Sequence, residues 1–243
     1  MDTVDYNLRP LWDKLLDLYE RFDAFCKEQK LRYYVTGGTL LGAVRHNGFI
    51  PWDDDLDVVM PRPDYVRYLS LGAEVSGTHL VKPGDEGWSH LFAKVVDTAC
   101  PSAWIDVIPI DGMPRATIPF YFWAFKRSTW RHRNQRSLFW NLAAILLNCS
   151  GTDEDFEHWL ESYPYDSSPC VEDYNANGRR FKLRALSADS FGTPIMHKFD
   201  RVEVPMPREW AKFLECIFGP NYMSLPPEDK RHPSHDANQM VKI

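Results

Sequence analysis

The amino-acid sequence predicts an α/β fold. Three observations predict it: apolar residues recur at helical spacing near both ends of the chain, short runs rich in Val, Ile and Tyr lie between polar turns, and the two kinds of segment alternate over the first 111 residues. The length of 243 residues fits one large domain, or a domain with an added lobe. With 28 basic and 34 acidic side chains the net charge is −6, which argues against a general nucleic-acid binder.

The first 111 residues are predicted as a core of alternating helices and strands. Apolar residues three and four positions apart predict a helix over residues 9–30, with Pro10 in its first turn. Short runs rich in β-branched and aromatic residues, bounded by Gly or Pro, predict the strands that follow. The further predicted elements are a strand over 31–36, a break at Gly37-Gly38, a helix over 39–46, a strand over 56–60, a helix over 64–74 and strands over 91–96 and 104–110.

Residues 112–150 differ from this core because they are aromatic and basic. Five cationic side chains lie between two apolar stretches. This pattern fits either contact of residues 116–147 with an anionic membrane surface or a pair of core helices with a solvated basic face. The five cationic residues are Lys126, Arg127, Arg131, Arg133 and Arg136.

The remainder of the chain is predicted as a lobe followed by a strand and a helix that pack on the core. Residues 151–192 are polar and weakly periodic, which favours short helices and loops. A strand over 201–204 and a helix over 207–218 follow. We therefore divide the chain into an α/β core with its N-terminal helix over 1–111, an aromatic and basic insert with a helical lobe over 112–195, and a C-terminal strand, helix and tail over 196–243 that pack back on the core.

The cysteine content indicates a reducing compartment. Five cysteines at wide spacing, with no CxxC, argue against a disulfide framework or a zinc knuckle. The acidic N-terminus has no apolar stretch of the kind found in signal peptides, and the longest strongly apolar run, 138–147, is too short to span a bilayer. We expect a cytoplasmic protein, either free or peripheral at the inner face of a membrane.

Two aspartates give the strongest sign of chemistry. Side chains alternate along a strand, so Asp55 and Asp57 should face the same way, and Asp53 shares their parity. Two carboxylates on one face repel each other unless a cation lies between them, and oxygen ligands favour Mg²⁺ or Mn²⁺. The alternative for this pair taken alone is a solvated acidic turn.

Other residues near this pair could bind phosphate. The Gly37-Gly38-Thr39 turn stands between a strand and a helix start, where glycine lets the backbone approach an anion, although it could equally be a simple turn. Arg45 and His46 could clamp a phosphate or could complement a helix C-terminus. Asp106 interrupts an apolar strand and should therefore have a cation or strong donors nearby. Lys94 could neutralise a phosphate or could be an exposed strand lysine.

Six stretches of the sequence carry a larger pattern. They are GGTLLG at 37–42, RH at 45–46, IPWDDDLD at 50–57, IDVIPID at 105–111, VPMP at 204–207 and FGPNYMSLPP at 218–227. Together they resemble the LicD/fukutin-type family of proteins with a nucleotidyltransferase fold, from about residue 8 to about residue 235. The resemblance implies an α/β (α+β) architecture: a small mixed sheet flanked by helices, with an added lobe of helices and loops.

The resemblance also implies a role for each candidate residue. Asp55, Asp57 and Asp106 would be the catalytic carboxylates that hold one or two Mg²⁺ ions, with Mn²⁺ as a substitute, and Asp106 could help to deprotonate the acceptor hydroxyl. The residues implied to contact the donor or its phosphates, or to support the metal ligands from behind, are Gly37, Gly38, Thr39, Arg45, His46, Asp53, Asp54 and Lys94.

The implied reaction is transfer of a phospho-alcohol group from a CDP-activated donor to a sugar hydroxyl, with release of CMP. Phosphocholine from CDP-choline is the favoured group, and ribitol phosphate and glycerol phosphate are alternatives. The acceptor would be a cell-surface glycan or its lipid-linked precursor, as in lipopolysaccharide or teichoic acid biosynthesis. Two other functions stay open: nucleotidyl transfer to a small molecule or protein by the same three carboxylates, and a non-catalytic glycan-binding module, against which the intact carboxylates argue.

Overall fold

A five-strand mixed sheet forms the centre of the described part of the chain. The computed structural model describes residues 7–71, 75–88, 90, 92–112, 165, 169–171 and 186–233. The helices in these ranges are α1 (Arg9–Gln29), α2 (Gly37–His46), α3 (Arg62–Ser70), α4 (Ala188–Phe191) and α5 (Trp210–Phe218), with a 3₁₀ turn at Glu228–Lys230. The strands are β1 (Tyr34–Val35), β2 (Leu56–Pro61), β3 (Thr78–Val81), β4 (Ala93–Asp97), β5 (Trp104–Gly112), β6 (Pro169–Val171), β7 (Leu186–Ser187), β8 (Ile195–Phe199) and β9 (Val202–Met206).

The strands of the sheet follow the order β1-β2-β5-β4-β3. β2 and β5 are parallel, and the other neighbours on this path are antiparallel. β6 pairs with the far end of β5, β7 pairs with β6, and β8 and β9 form a separate hairpin. The mixed sheet with flanking helices confirms the predicted α/β class.

One hydrophobic core joins α1, the sheet and the C-terminal elements. Leu11, Leu15, Leu18 and Phe22 are all buried on one stripe of α1, as their three- and four-residue spacing predicts. Every residue of β2 is buried, which fits a strand that has neighbours on both sides and helices packed on the sheet. The C-terminal residues in the same core are Phe199, Val204, Met206, Phe213 and Leu214.

Most predicted elements of the first half are confirmed, with shifted ends. The strand predicted over 31–36 is only Tyr34–Val35, and the helix predicted over 64–74 begins at Arg62 and has Ser70 as its last residue. The strand ends before Gly37-Gly38, as predicted, but α2 begins at Gly37 and not at Thr39, so both glycines lie in its first turn. Helix starts that lack an apolar residue are hard to locate from periodicity.

Four of the described strands were not predicted: β3, β8, and the short strands β6 and β7, which lie in the 151–192 segment predicted as helices and loops. β3 is an edge strand whose residues are all partly or fully exposed, and in β8 Ile195 and Met196 are exposed and only Phe199 is buried. Neither β3 nor β8 therefore has the apolar run or the alternation that marks a strand in a sequence. The predictions for residues 116–147, and for most of the 112–195 segment, lie outside the described residues. None of the helices in the described ranges combines the length and the apolar character needed to cross a bilayer.

Candidate active site

Three charged side chains form a row across the middle of the sheet. Asp57 of β2 is in register with Asp106 of β5, and Asp106 is in register with Lys94 of β4. Side chains at directly opposite positions of paired strands point to the same face of a sheet. The parallel pairing of β2 and β5 therefore places two carboxylates side by side, with an ammonium group beyond them.

A third carboxylate joins this row. Asp55, Asp57 and Asp106 each offer a carboxylate oxygen, and these oxygens all lie within 4.8 Å of one another. Asp57 is 8% exposed, while Asp55 and Asp106 are half-buried. Three carboxylates so close together repel one another, so a bound cation would stabilise the arrangement. The donor set consists of hard oxygens, which suits a metal such as Mg²⁺ or Mn²⁺.

A second acidic group adjoins the first. Asp53, Asp54 and Asp55 also bring carboxylate oxygens within 4.8 Å of one another, and Asp54 is almost fully buried. Asp55 belongs to both groups, so the two groups form one continuous acidic cluster that could hold a metal ion.

The start of α2 fixes the start of β2. The backbone N–H of Thr36 donates to the carbonyl of Asp57 at 3.1 Å, and the N–H of Asp57 donates to Thr39 Oγ1 at 2.9 Å. Thr39 is buried. Its hydroxyl therefore holds the backbone of Asp57 in place, and its contact with a donor phosphate stays a prediction.

The paired glycines leave room for two of the aspartates. A Cβ atom at Gly37 would lie 2.8 Å from Asp57 Oδ2, and one at Gly38 would come closer still to Asp53 Oδ2. Gly37 also has a φ of 53°, in the left-handed region that favours glycine. From the sequence we expected these glycines to serve a phosphate; the structure shows that they also let the carboxylates reach the N-terminus of α2.

Two residues that the sequence analysis missed support the acidic loop. Trp12 of α1 donates its indole N–H to the carbonyl of Asp53 at 2.8 Å and stacks on Phe49, with ring centroids 5.1 Å apart. A Cβ atom at Gly42 would lie 2.5 Å from the carbonyl oxygen of Gly48, so glycine is needed where the loop after α2 passes the helix. Trp12 gave no signal beyond its place on an apolar stripe.

Arg45 and His46 lie at the end of α2 and hold the C-terminal segment. Arg45 donates through Nη1 to the carbonyls of Tyr222 at 3.1 Å and Ser224 at 3.2 Å, and through Nε to His46 Nε2 at 2.9 Å. Burial lowers the pKa of Arg45, against the attraction of Asp53. Burial also lowers the pKa of His46, and the Arg45 charge adds to that effect. The neutral imidazole can therefore accept this hydrogen bond, and a phosphate contact of either residue stays a prediction.

Lys94 is held at the acidic site by two indole rings. Its Nζ lies 3.5 Å from Asp106 Oδ1, 4.1 Å from the ring centroid of Trp104 and 4.8 Å from that of Trp88. The Lys94 side chain is 16% exposed, so the alternative of an exposed strand lysine is wrong. Trp88, which lies on the loop between β3 and β4, was not predicted from the sequence as a site residue.

Comparison with known proteins gives the type of domain that carries this fold and acidic row. Residues 30–137 match the family model described as LicD/FKTN/FKRP, nucleotidyltransferase domain. The similarity to this family extends over residues 30–137, a little under half of the chain.

The chain is also similar to individual known proteins. The chain is 25% identical, over 248 aligned residues, to the lipopolysaccharide cholinephosphotransferase LicD of Haemophilus influenzae, and the match covers 90% of this chain and 92% of that protein. Uncharacterised proteins of Rickettsia typhi and Rickettsia prowazekii are 40% and 41% identical over 61 residues, which is 24% of this chain and 20% and 23% of theirs.

Proposed function

We propose that this protein is a metal-dependent transferase that moves phosphocholine from CDP-choline to a sugar hydroxyl and releases CMP. The observation that carries the proposal is the convergence of Asp55, Asp57 and Asp106 beside Lys94. A negatively charged site with one fixed cation suits a divalent ion and a diphosphate. The full-length match to a cholinephosphotransferase supports choline as the alcohol.

The three carboxylates fit a Mg²⁺ ion. Asp55, Asp57 and Asp106 are the residues that would hold it, since their oxygens lie within 4.8 Å of one another and are the ligands that Mg²⁺ prefers. When bound, the metal would supply charge neutralisation for the diphosphate and for the departing CMP. Asp53 and Asp54 would add negative charge next to these ligands.

The groups of the protein would position the two substrates. The N-terminus of α2 presents the backbone N–H groups of its first turn, which attract anions, next to the acidic row. Lys94 would bind a phosphate oxygen from the opposite side of the row. Two such contacts would orient the diphosphate, and positioning dominates this kind of chemistry.

The transfer step balances as a substitution at phosphorus. The acceptor hydroxyl oxygen forms a bond to the choline-bearing phosphorus, and the bond from that phosphorus to the bridging oxygen breaks. The hydroxyl proton passes to Asp106, and CMP leaves with the electron pair of the broken bond. The products are the phosphocholine-modified glycan and CMP.

The acceptor we propose is a cell-surface glycan or its lipid-linked precursor, modified at the cytoplasmic side of a membrane. The support is the lipopolysaccharide named for the Haemophilus relative. A peripheral contact with the membrane through residues 116–147 would bring a lipid-linked acceptor to the site. Ribitol phosphate and glycerol phosphate would use the same carboxylates and remain alternatives for the group transferred.

Nucleotidyl transfer is the second candidate function. The matched family model is described as a nucleotidyltransferase domain, and the same three aspartates would serve that reaction. The two reactions differ in the phosphorus that is attacked and therefore in what the acceptor gains.

One experiment separates these functions. The protein is incubated with Mg²⁺, a panel of glycan acceptors and one donor at a time from CDP-choline, CDP-ribitol and CDP-glycerol, while CMP release and the mass of the acceptor are measured. We expect CMP release from CDP-choline and an acceptor heavier by phosphocholine. An acceptor that gains a nucleotide would favour the second candidate. Equal CMP release by Asp57→Asn would contradict the metal site.

A further inference from the structure

The ammonium group of Lys94 lies against two aromatic faces at the edge of the acidic row. Trp104 precedes Asp106 by two residues on β5, so the two side chains share one face of the sheet. Trp88 reaches the same place from the loop between β3 and β4, and its indole N–H donates to the carbonyl of Phe92 at 2.7 Å, which fixes the ring. The ring centroids lie 4.1 Å and 4.8 Å from Lys94 Nζ, well within the range of a cation–π interaction.

The ion pair of Lys94 with Asp106 is loose. The distance from Nζ to Oδ1 is 3.5 Å, whereas a charge-assisted hydrogen bond between an ammonium and a carboxylate is about 2.7–2.9 Å long. A tight ion pair would neutralise the ammonium and compete with an anionic ligand. An aromatic face attracts the cation without removing its charge or occupying its N–H donors.

We propose that Trp88 and Trp104 are positioning residues that clamp Lys94 as a fixed cation for the diphosphate of the donor. The inference rests on the proposed function, because it takes the ligand of this site to be a diphosphate. The clamp keeps a long, flexible side chain in one place beside a metal-binding carboxylate. The lysine side chain is then already ordered before the ligand binds, so binding costs less conformational entropy.

The test is the affinity of the full chain for inorganic pyrophosphate in the presence of Mg²⁺, measured by calorimetry. Lys94→Met should weaken binding by roughly ten- to a hundredfold, since a hydrogen bond to a charged group is lost. Trp88→Leu should weaken it by about two- to fivefold, the range of a partly exposed cation–π contact. Trp88→Phe, which keeps an aromatic face, should lose less than Trp88→Leu.

The double variant Trp88→Leu, Lys94→Met decides the mechanism. If Trp88 acts through Lys94, the double variant should bind pyrophosphate as Lys94→Met does. Lys198→Met on the hairpin strand β8 makes the same charge change far along the chain, on an exposed side chain, and serves as the matched control. Thermal unfolding of each variant reports whether the loop variant keeps its fold.

Three results would overturn the clamp: full pyrophosphate affinity in Lys94→Met, losses that multiply in the double variant, or no pyrophosphate binding by the unmodified protein. The proposed function is judged separately by CMP release. A protein that shows the expected binding pattern but releases no CMP from any CDP-alcohol would retain the clamp and lose the proposed function.

Discussion

Asp57 and Asp106 lie directly opposite each other in the parallel pair of β2 and β5, 49 positions apart in the sequence and adjacent in the sheet. Few pairings bring two carboxylates together inside a buried sheet, because their repulsion costs free energy. The residues around them accommodate this cost locally: Thr39 binds the Asp57 backbone, and Lys94 lies on the far side of Asp106.

The carboxylates should control turnover and not the fold. We expect Asp55→Ala to abolish CMP release and Asp106→Asn to slow it by about two to four orders of magnitude, the range of a lost general base. Both changes remove a negative charge from a repelling group, so the midpoint of thermal unfolding should stay or rise. Measurement of kcat and of thermal unfolding on the same samples checks both points. Unchanged kinetics in Asp106→Asn would remove this residue from the site.

Gly42 should be required for stability. In Gly42→Ala the added methyl group would lie 2.5 Å from the backbone carbonyl of Gly48, which cannot rotate away. We expect a loss of about 1–3 kcal/mol in the free energy of unfolding, as for other overpacked sites. Gly48→Ala is the matched control, because its methyl group would meet nothing closer than 3.5 Å. Equal unfolding free energies of the two variants in urea would contradict the close approach.

The buried pair of Arg62 and Asp111 should be structural. Arg62 Nε and Nη2 donate to the two oxygens of Asp111 at 2.5 Å and 3.0 Å, and both side chains are buried. Asp111→Ala would leave a buried guanidinium and should cost about 3–5 kcal/mol of unfolding free energy. Lys212→Ala, which removes the exposed partner of Glu209, should cost less than about 1 kcal/mol. Similar losses in the two variants would show that the Arg62 pair is not buried in solution.

Asp97 should make the stability depend on pH in the acid range. Burial alone would raise the pKa of Asp97, but the hydrogen bond from Arg21 and those from the backbone of Cys100 and Ala99 bring this pKa below its ordinary value. A carboxyl with a lowered pKa contributes stability above its unfolded pKa, and this contribution disappears as the pH falls through the folded value.

The comparison of the unmodified protein with Asp97→Asn tests this pH dependence. The difference in their unfolding free energies should be largest near neutral pH and should shrink below about pH 4. Glu28→Gln makes the same charge change on an exposed side chain of α1 and should show no such trend. A difference that is constant with pH would contradict the lowered pKa.

The sequence was sufficient to predict the elements whose apolar residues recur at regular spacing and the carboxylates that lie two positions apart on one strand. The helical stripe of α1 and the same-face pair Asp55 and Asp57 are local patterns, so they could be predicted. The IDVIPID stretch shows the limit: it places Asp106 and Asp111 in one motif, yet only Asp106 lies in the acidic row, while Asp111 pairs with Arg62.

The partners of the cationic side chains Arg45 and Lys94 could not be predicted, because they come from other parts of the fold. Arg45 donates to carbonyls more than 170 positions away, and the ammonium group of Lys94 lies over the Trp88 ring, which belongs to the loop between β3 and β4. Neither contact leaves a local spacing signal. The strand registers that place Lys94 beside Asp106 also depend on the whole sheet and not on either strand alone.

The central claim is that the three aspartates hold a divalent cation together. Titration of the protein with Mn²⁺, followed by the loss of the free-ion signal in electron paramagnetic resonance, tests it most directly. We expect saturable binding that weakens at least about tenfold in Asp57→Asn, since one of three ligands is lost. Binding of Mn²⁺ with equal affinity by Asp57→Asn and the unmodified protein would contradict the account.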